Sequence, residues 1–367
     1  IQNNEPQLGF VKKILNKKSI DVLSFNEVQY DMKNVPSVIY NTTGENLQRL
    51  LKYLNLHHLK YQSFNPANTG ENAKKKNDGT YYISPSSPEA RAHADQLNFG
   101  VMPGQYSTGA LTKYEILNEK VIKNLYWKEF NPSIDFSKFK TADGKPIPQN
   151  MKLFDKNFTD VTLKVGDKIL HIILLHTVPS YHFGNPNSIN MVRNADQLRF
   201  LEWYVTASTD IKVPLKKIKP FNKMTSYIAM GDFNVDVKST TSPGAKVLQR
   251  LFKKSNPWIP INEMTFTNES GGFSPDKNKL LLDYIITSKN IRTITGEIMH
   301  PNFKRIELGC DASEINQNKL SKKELNKYIK IDYKKEDKIC YAYILKEYFY
   351  YKKASDHYPL YGEFEIK

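Results

Sequence analysis

The stretch YIAMGDFN, residues 227–234, decides the fold of this chain: an apolar, strand-like run ends in Gly231-Asp232-Phe233-Asn234. A strand that stops in Gly-Asp carries its polar groups to the rim of a sheet, where loops build active sites. Asp232 and Asn234 are two residues apart, so on an extended segment their side chains point the same way. The competing interpretation is an Asp/Asn pair that caps an ordinary turn. Other segments of the chain distinguish an active-site strand end from an ordinary turn cap.

Four other short segments also set a polar group at or near the end of an apolar run. They are Asn26-Glu27-Val28, Leu175-His176-Thr177, Leu282-Asp283-Tyr284 and Ser355-Asp356-His357. Each alone is a weak signal, because such turns are common. Carboxylate, carboxamide and imidazole together are what metal-assisted attack on a phosphate ester requires. The set therefore favours a hydrolase.

In this order and at these separations, the five segments resemble the endonuclease/exonuclease/phosphatase superfamily, which is deoxyribonuclease I-like. The resemblance runs from about Phe10 to Ile366, apart from insertions. It implies an α/β fold, a four-layer α/β sandwich in which two packed mixed β-sheets are flanked by helices. It also implies a metal-dependent hydrolase that acts on phosphoric ester bonds, with Mg²⁺ or Mn²⁺ as cofactor, since both ions prefer hard oxygen ligands.

The resemblance assigns the metal shell to Glu27 and Asp356. Glu27 matches the family's metal-binding glutamate, and Asp356 would complete the shell. In isolation Glu27 would be an ordinary surface glutamate at a strand end, so its role depends on the other segments. Asn26 is not expected to be a second ligand, because successive side chains of a strand point to opposite faces.

The same resemblance assigns the catalytic side chains. Asp232 would orient or deprotonate a water while Asn234 binds the phosphoryl oxygens. Asp283 would fix the tautomer of His357, which acts either as general base or as a phosphate-binding imidazolium. His176 would stabilise the phosphorane charge or protonate the leaving oxygen. Its setting, Leu-His-Thr, departs modestly from the family's usual Thr-His-Leu.

Hydrophobic patterns predict interleaved helices and strands in a mixed sheet. We expect a hairpin over 161–176, a helix over Asn190–Thr206, a helical insertion over 319–338 and a strand or hairpin arm over 341–351. Residues 1–367 are expected to form a single domain with surface insertions near 62–98, 131–150 and 305–340. On the predicted helix Asn190–Thr206, Arg193 and Arg199 are candidates for phosphate binding, although a solvated face is the favoured interpretation. His182 is expected on an exposed loop, where it can contact substrate.

The formal net charge of +15 favours an anionic partner. A nucleic acid substrate fits it best, with lysines at 74–76 and at 216, 217 and 219, although these also suit a solvated surface. A phospholipid headgroup is the alternative, because the aromatic stretch 341–351 is similar in position to a membrane-touching hairpin of bacterial sphingomyelinases. A phosphoinositide phosphatase is less favoured, since residues 235–238 lack that branch's arginine. The non-enzyme alternative is a degenerate binding protein of the same fold.

Further expectations concern the chain as a whole. Cys310 and Cys340 exclude a cysteine zinc cage, and they leave a disulfide and two unrelated thiols equally open. No apolar run approaches the roughly 20 residues that span a bilayer, and we expect a monomer. Because the chain starts at Ile1, we expect a processed or truncated form, with a lean towards a secreted or periplasmic bacterial protein.

One departure from the family concerns its first strand, whose terminal asparagine sits at the metal. Nothing before Phe10 resembles that strand, and Asn3 and Asn4 are too near the terminus to serve. Losing a central strand would expose the core, so we expect the strand upstream of Ile1.

Overall fold

The computed structural model describes residues 6–29, 44–310 and 321–367. The α-helices are α1 (Pro6–Leu15), α2 (Glu45–Leu54), α3 (Pro88–His93), α4 (Trp127–Phe130), α5 (Asn190–Thr206), α6 (Pro243–Lys254), α7 (Lys322–Leu325) and α8 (Lys346–Ala354). The strands are β1 (Val22–Val28), β2 (Tyr61–Phe64), β3 (Ser107–Thr112), β4 (Glu115–Ile122), β5 (Phe158–Val165), β6 (Lys168–Leu175), β7 (Tyr227–Asp232), β8 (Asn256–Pro257), β9 (Asn268–Glu269), β10 (Lys279–Leu280), β11 (Asp283–Thr287), β12 (Ile291–Ile298), β13 (Arg305–Gly309), β14 (Tyr328–Lys335), β15 (Lys338–Leu345) and β16 (Leu360–Ile366).

The chain divides into two compact units. The smaller unit comprises Ile1–Ser19, Asn262–Leu281 and Glu297–Tyr361, and the larger unit comprises Ile20–Ile261, Leu282–Gly296 and Gly362–Lys367. The expectation of a single domain stays a prediction.

A six-stranded sheet forms the centre of the larger unit, in the order β4-β5-β6-β7-β11-β8. Strands β6 and β7 pair in parallel, while the other neighbours pair antiparallel, so the sheet is mixed. Residues 172–175, the end of β6, are fully buried, as expected of a central strand covered on both faces. This part of the sheet carries most of the candidate site.

Two further layers and a helix complete the larger unit. Strands β1, β3 and β2 form a second, antiparallel sheet, whose β1 contacts β7 and whose β3 contacts β6. Leu47 of α2 lies over Gly109 of β3. Helices α5 and α6 pack together, and Tyr204 of α5 donates to the Asp160 carboxylate of β5 at 2.8 Å. The unit is thus layered helix, sheet, sheet, helix, which confirms the expected α/β class.

The smaller unit is built on an antiparallel sheet in the order β13-β15-β14. Helices α1 and α8 pack together, and the ring of Phe10 stacks on Tyr350 with centroids 5.1 Å apart. Cys310, just after β13, forms a disulfide with Cys340 of β15. The structure therefore decides between the two alternatives that the sequence left open.

Some predicted elements are confirmed and others are wrong. The predicted hairpin appears as β5 and β6, and α5 has the predicted bounds. The predicted strand over 341–351 ends at residue 345, where α8 begins. Residues 328–335 of the predicted helical insertion form β14 because they pair along their whole length with β15.

The predicted surface insertions contain ordered elements. The segment 62–98 includes α3, and 131–150 includes a 3-10 turn, Phe136–Lys138, with a buried Phe136. Part of 305–340 lies outside the described residues, as do Asn3 and Asn4. Among the described ranges no helix is long and apolar enough to cross a bilayer.

Candidate active site

Gly231 determines how closely β7 approaches the end of β6. Its φ is 146°, and a Cβ built there would lie 2.0 Å from the carbonyl oxygen of Leu175. Any side chain would collide with that oxygen, so only glycine fits. The close approach continues at the next residues, where the Thr177 amide donates to the Asp232 carbonyl at 3.1 Å. Asp232 and His176 are therefore brought to the same edge of the sheet.

Asp232 and Asp283 face each other across neighbouring strands. They are register partners at the end of the β7–β11 pair, and oxygens of the two carboxylates lie within 4.8 Å. Both residues are buried, with 7% and 8% of their surface exposed. Like charges directly opposite each other destabilise a sheet, and burial increases the repulsion. A cation between them would offset this cost.

Asn234 turns back onto Asp232. It lies beyond the end of β7 with a left-handed φ of 50°. Its backbone N–H donates to Asp232 Oδ1 at 2.8 Å. Its side-chain Nδ2 donates to Asp232 Oδ2 at 2.9 Å and to the Thr177 carbonyl at 3.0 Å. The sequence predicts an extended segment here, which is wrong: the chain turns, and both carboxamide hydrogens of Asn234 find acceptors within the protein. In this arrangement Asn234 fixes the orientation of the Asp232 carboxylate.

His176 lies directly after β6 and is 5% exposed. Its Nε2 is 3.6 Å from Asp232 Oδ2. The imidazole and the carboxylate therefore lie at the same edge of the sheet, and the role that the resemblance assigns to His176 stays a prediction.

Glu27 sits in a β-bulge near the end of β1. The register with β3 slips between Phe25 and Val28, and Glu27 adopts a φ of 61°. Bulges re-aim side chains next to functional sites, and a non-glycine residue with positive φ is a strained feature found often at such sites. The Glu27 side chain is exposed. Burial of Tyr106 and the nearby charge of Glu27 together raise the pKa of Tyr106 to about 12. Glu27 is thus held at the bulge beside the Tyr106 phenol.

The bulge also removes the basis for excluding Asn26 as a ligand. Strict alternation of side chains fails where an extra residue is inserted. Asn26 Oδ1 is buried and makes no hydrogen bond within the described part of the chain. Asn26 therefore offers a further carboxamide oxygen next to Glu27.

A layer of buried polar side chains next to the site has no signal in the sequence. Asn194 of α5 donates from Nδ2 towards the carbonyls of Val178 and Phe233 at 2.8 and 2.9 Å. Lys156 contributes a longer contact of 3.3 Å to the Thr177 carbonyl, the same oxygen that accepts from Asn234. These contacts join the segments after β6 and β7. A lone asparagine in an amphipathic helix gives no sequence signal for such a role.

In the smaller unit, Asp356 and His357 lie along the segment that contains β9. His357 forms an isolated bridge with Asn268, and the Asp356 carbonyl accepts from the Glu269 amide at 3.2 Å. Asp356 is exposed and His357 is half-buried. The structure thus brings Asp232, Asn234, Asp283 and His176 together in the larger unit. Joint action of Asp356 and His357 with those residues stays a prediction.

Glu269 packs against the Asp356-His357 segment and stabilises it through hydrogen bonds. Its carboxylate accepts from the hydroxyls of Tyr348 and Tyr358 at 2.7 and 2.9 Å. Lys277 donates to the same carboxylate at 3.3 Å. These contacts fix the backbone on which Asp356 and His357 are carried.

Comparison with known proteins finds solved structures only. No family model and no curated protein matches the chain. A protein described as endonuclease/exonuclease/phosphatase from Beutenbergia cavernae is 12% identical, with a TM-score of 0.47, and covers 93% of this chain, which spans 66% of that chain. A beta toxin from Staphylococcus aureus is 16% identical, with a TM-score of 0.46 and coverage of 98% and 93%. A sphingomyelinase C from Streptomyces griseocarneus is 15% identical, with a TM-score of 0.45 and coverage of 98% and 92%.

Proposed function

We propose that this chain is a divalent-metal-dependent phosphodiesterase, and more specifically a nuclease that hydrolyses DNA or RNA by activated-water attack. The observation that carries the proposal is the buried, directly opposed pair Asp232 and Asp283, with His176 at the same edge. Two carboxylates and an imidazole at one edge of the sheet suit general acid-base chemistry beside a metal ion.

The donor set fits Mg²⁺ or Mn²⁺. Asp232, Asp283 and Glu27 offer carboxylate oxygens, and Asn26 adds a carboxamide oxygen. Hard oxygen donors of this kind are what both ions prefer, and Cys310 and Cys340, the two cysteines of the chain, are joined in a disulfide and offer no thiolate. We propose that these residues, with Asp356, hold the ion. When bound, it would polarise the phosphoryl group and lower the pKa of a coordinated water.

The side chains of the larger unit have separable roles in the proposed reaction. Asp232, fixed by Asn234, orients the attacking water on the side of the β7 terminus. His176, oriented by Asp232, donates a proton to the leaving oxygen or stabilises the charge that develops on the phosphorus oxygens. His357 is proposed as the general base. Asn234 is assigned to positioning, because its two carboxamide hydrogens are donated to Asp232 and Thr177.

Charge and the β14–β15 turn favour nucleic acid over a lipid surface. The net charge of +15 suits a polyanion. The turn between β14 and β15 consists of Glu336 and Asp337, flanked by Lys335 and Lys338. Segments that enter the hydrocarbon region of a membrane are apolar, and charged residues there are costly. This hairpin end therefore lacks the chemistry of a membrane anchor.

Plasmid nicking tests the proposal directly. Pure protein is incubated with supercoiled plasmid and Mg²⁺, with and without chelator, and sphingomyelin is assayed in parallel for release of phosphocholine. Nicking that the chelator abolishes supports the nuclease. Release of phosphocholine without nicking supports the lipid alternative. Inactivity on both, with retained binding to DNA, supports the binding protein.

The His357→Ala variant tests the assigned base in the same assay. Loss of a general base lowers turnover by about 10²- to 10⁴-fold. Unfolding by urea should be nearly unchanged, because His357 is only half-buried. His57→Ala, at an exposed histidine of the larger unit, is the matched control and should keep full activity. Full activity of the His357 variant would remove His357 from the proposed mechanism.

A further inference from the structure

Three consecutive rings stand exposed on the loop between β6 and α5. Tyr181 and Phe183 expose 56% and 68% of their surfaces, and His182 is exposed between them. The rings of Tyr181 and His182 are stacked, with centroids 5.2 Å apart and planes within 13°. Phe183 meets Tyr181 edge-on at 5.0 Å. The loop therefore presents a continuous aromatic surface, which we call the aromatic loop.

The aromatic loop is attached to the candidate site. The amide of Ser180 donates to the Asn234 carbonyl at 2.9 Å, so Tyr181 is one residue away from the turn that holds Asp232. At the other end, the Asn185 amide closes a turn onto the His182 carbonyl at 2.9 Å, and Phe183 takes a left-handed φ of 48°. These contacts fix the loop beside the site and keep its rings exposed.

We propose that Tyr181, His182 and Phe183 stack on unpaired bases, so that the substrate is single-stranded or locally unpaired nucleic acid. The inference deepens the proposed function and rests on it. Stacking on aromatic rings binds any base, because every base has a π-face, and it needs bases that are not already stacked in a duplex. The distance along the chain is short: His176 precedes Tyr181 by five residues. A base on the rings would place its phosphate near the site.

The chemistry of the aromatic loop favours bases over a lipid surface. Tyr181 and His182 carry polar atoms on their rings, and residues 184–188 are Gly-Asn-Pro-Asn-Ser. Only Phe183 is a fully apolar side chain of the kind that anchors in acyl chains. Exposed Lys140, whose carbonyl accepts from Asn185 Nδ2 at 3.0 Å, lies beside the loop and can meet a phosphate. Ring and cation together match a nucleotide.

Binding of labelled oligonucleotides tests the proposal. Fluorescence anisotropy is measured in chelator, which prevents hydrolysis, with a twelve-residue oligodeoxythymidylate and with a duplex of the same length. The Tyr181→Ala/Phe183→Ala double variant should raise the Kd for the single strand by about tenfold or more, and that for the duplex much less. Tyr181→Trp/Phe183→Tyr should retain binding. Met224→Ala is the control, since Met224 is 80% exposed before the start of β7, at the far end from Asp232.

The outcomes separate the two proposals. An unchanged Kd of the double variant, or an equal loss of affinity for single strand and duplex, overturns the stacking role. A double variant that loses affinity only for sphingomyelin vesicles overturns it as well. Hydrolysis of bis(4-nitrophenyl) phosphate by the wild-type protein with Mg²⁺ tests the chemistry independently of the aromatic loop. If that hydrolysis is absent while the single-strand binding behaves as expected, the nuclease assignment fails and the base-stacking surface stands.

Discussion

The Asp232 carboxylate is oriented by Asn234, two residues later in the sequence. Two donors of Asn234 hold both of its oxygens, and His176 lies 3.6 Å away. Pre-orientation of this kind lowers the reorganisation needed during a reaction. The cost is the proximity of a second buried carboxylate, Asp283. At the scale of single residues, the site therefore combines a fixed geometry with an electrostatic repulsion.

Asp283→Asn should affect activity and stability in opposite directions. Removing one of two facing charges relieves repulsion. The free energy of unfolding of the metal-free variant should therefore be about 1 kcal/mol higher than that of the metal-free wild type. Turnover with Mg²⁺ should fall by about 10²-fold or more, because a ligand charge is lost. Urea unfolding in chelator and nuclease assays check the two effects. A variant less stable than wild type without metal would contradict the repulsion argument, and Asp337→Asn serves as an exposed control.

The Asp155 site predicts a dependence of stability on pH. Burial alone would raise the pKa of Asp155, but the charges of Lys156 and Arg193 outweigh it and lower this pKa from 3.8 to about 2. A lowered folded-state pKa stabilises the fold above the unfolded value, and that contribution disappears as the pH falls from about 4 towards 2. It amounts to about 2 kcal/mol.

Asp155→Asn should remove this dependence. At neutral pH it should cost about 3–5 kcal/mol, since Lys156 and Arg193 remain buried without their counter-charge. Urea unfolding of wild type and variant between pH 2 and 7 measures the difference, which should shrink in acid. A difference that is constant with pH would contradict the assignment.

The positions of site residues are predictable where a short motif indicates them, and not where burial decides them. Asp232, Asp283 and His176 lie at or next to strand ends, as their motifs predict, while their roles stay predictions. Arg193 was expected either on a solvated face or at a phosphate, yet it is buried and donates to the carbonyls of Leu153 and Leu97 at 3.0 and 2.7 Å. These acceptors come from distant parts of the chain, so no local pattern indicates them.

At the scale of elements, the ends of β6, β7 and β11 make the site. The parallel pairing of β6 with β7 and the antiparallel pairing of β7 with β11 bring three chain segments to one edge. The Thr177 hydroxyl adds a bond to the Phe233 carbonyl at 2.7 Å. The candidate site therefore lies at the ends of these three strands.

Gly231→Ala should disrupt this edge. The new Cβ would lie 2.0 Å from the Leu175 carbonyl, and the strands must separate to accept it. We expect a loss of about 3 kcal/mol or more in unfolding free energy, with loss of activity. Gly166→Ala is the control: its φ is also positive, but nothing lies within 4 Å of its Cβ, so the cost should stay near 1 kcal/mol. Equal effects of both variants would argue against the clash.

Helices and strands are predicted well where the spacing of apolar residues is regular. The bounds of α5 and the β5–β6 hairpin follow from their patterns. The lysine and acidic residues of 319–338 predict a helix, but residues 328–335 form a strand because they pair along their whole length with β15. The aromatic stretch 341–351 predicts a strand or hairpin arm, but residues 346–354 form α8. They are helical, since Tyr348, Tyr351 and Ala354 then share a buried face.

At the scale of the whole molecule, the net charge would dominate binding to the proposed polyanion. The net charge of +15 arises from 53 basic and 38 acidic residues. A protein that neutralises phosphates releases counterions, so its affinity falls steeply with salt. This electrostatic contribution to binding is independent of the chemistry proposed at Asp232 and Asp283.

Salt should therefore separate polymer binding from catalysis. Between about 50 and 200 mM NaCl, oligonucleotide affinity should fall by about tenfold or more, as expected for several phosphate contacts. Hydrolysis of bis(4-nitrophenyl) phosphate should change little over the same range, because it has a single phosphate. Anisotropy and absorbance assays measure the two. Equal salt sensitivity in both would point to an effect of salt on the fold.

The Cys310–Cys340 disulfide encloses the chain between them, which includes all of β14. A protease that cuts once anywhere inside this covalent ring releases no fragment, since both cut ends stay tethered through sulfur. The nicked molecule would migrate as one band on a non-reducing gel and separate into two only after treatment with a thiol reductant.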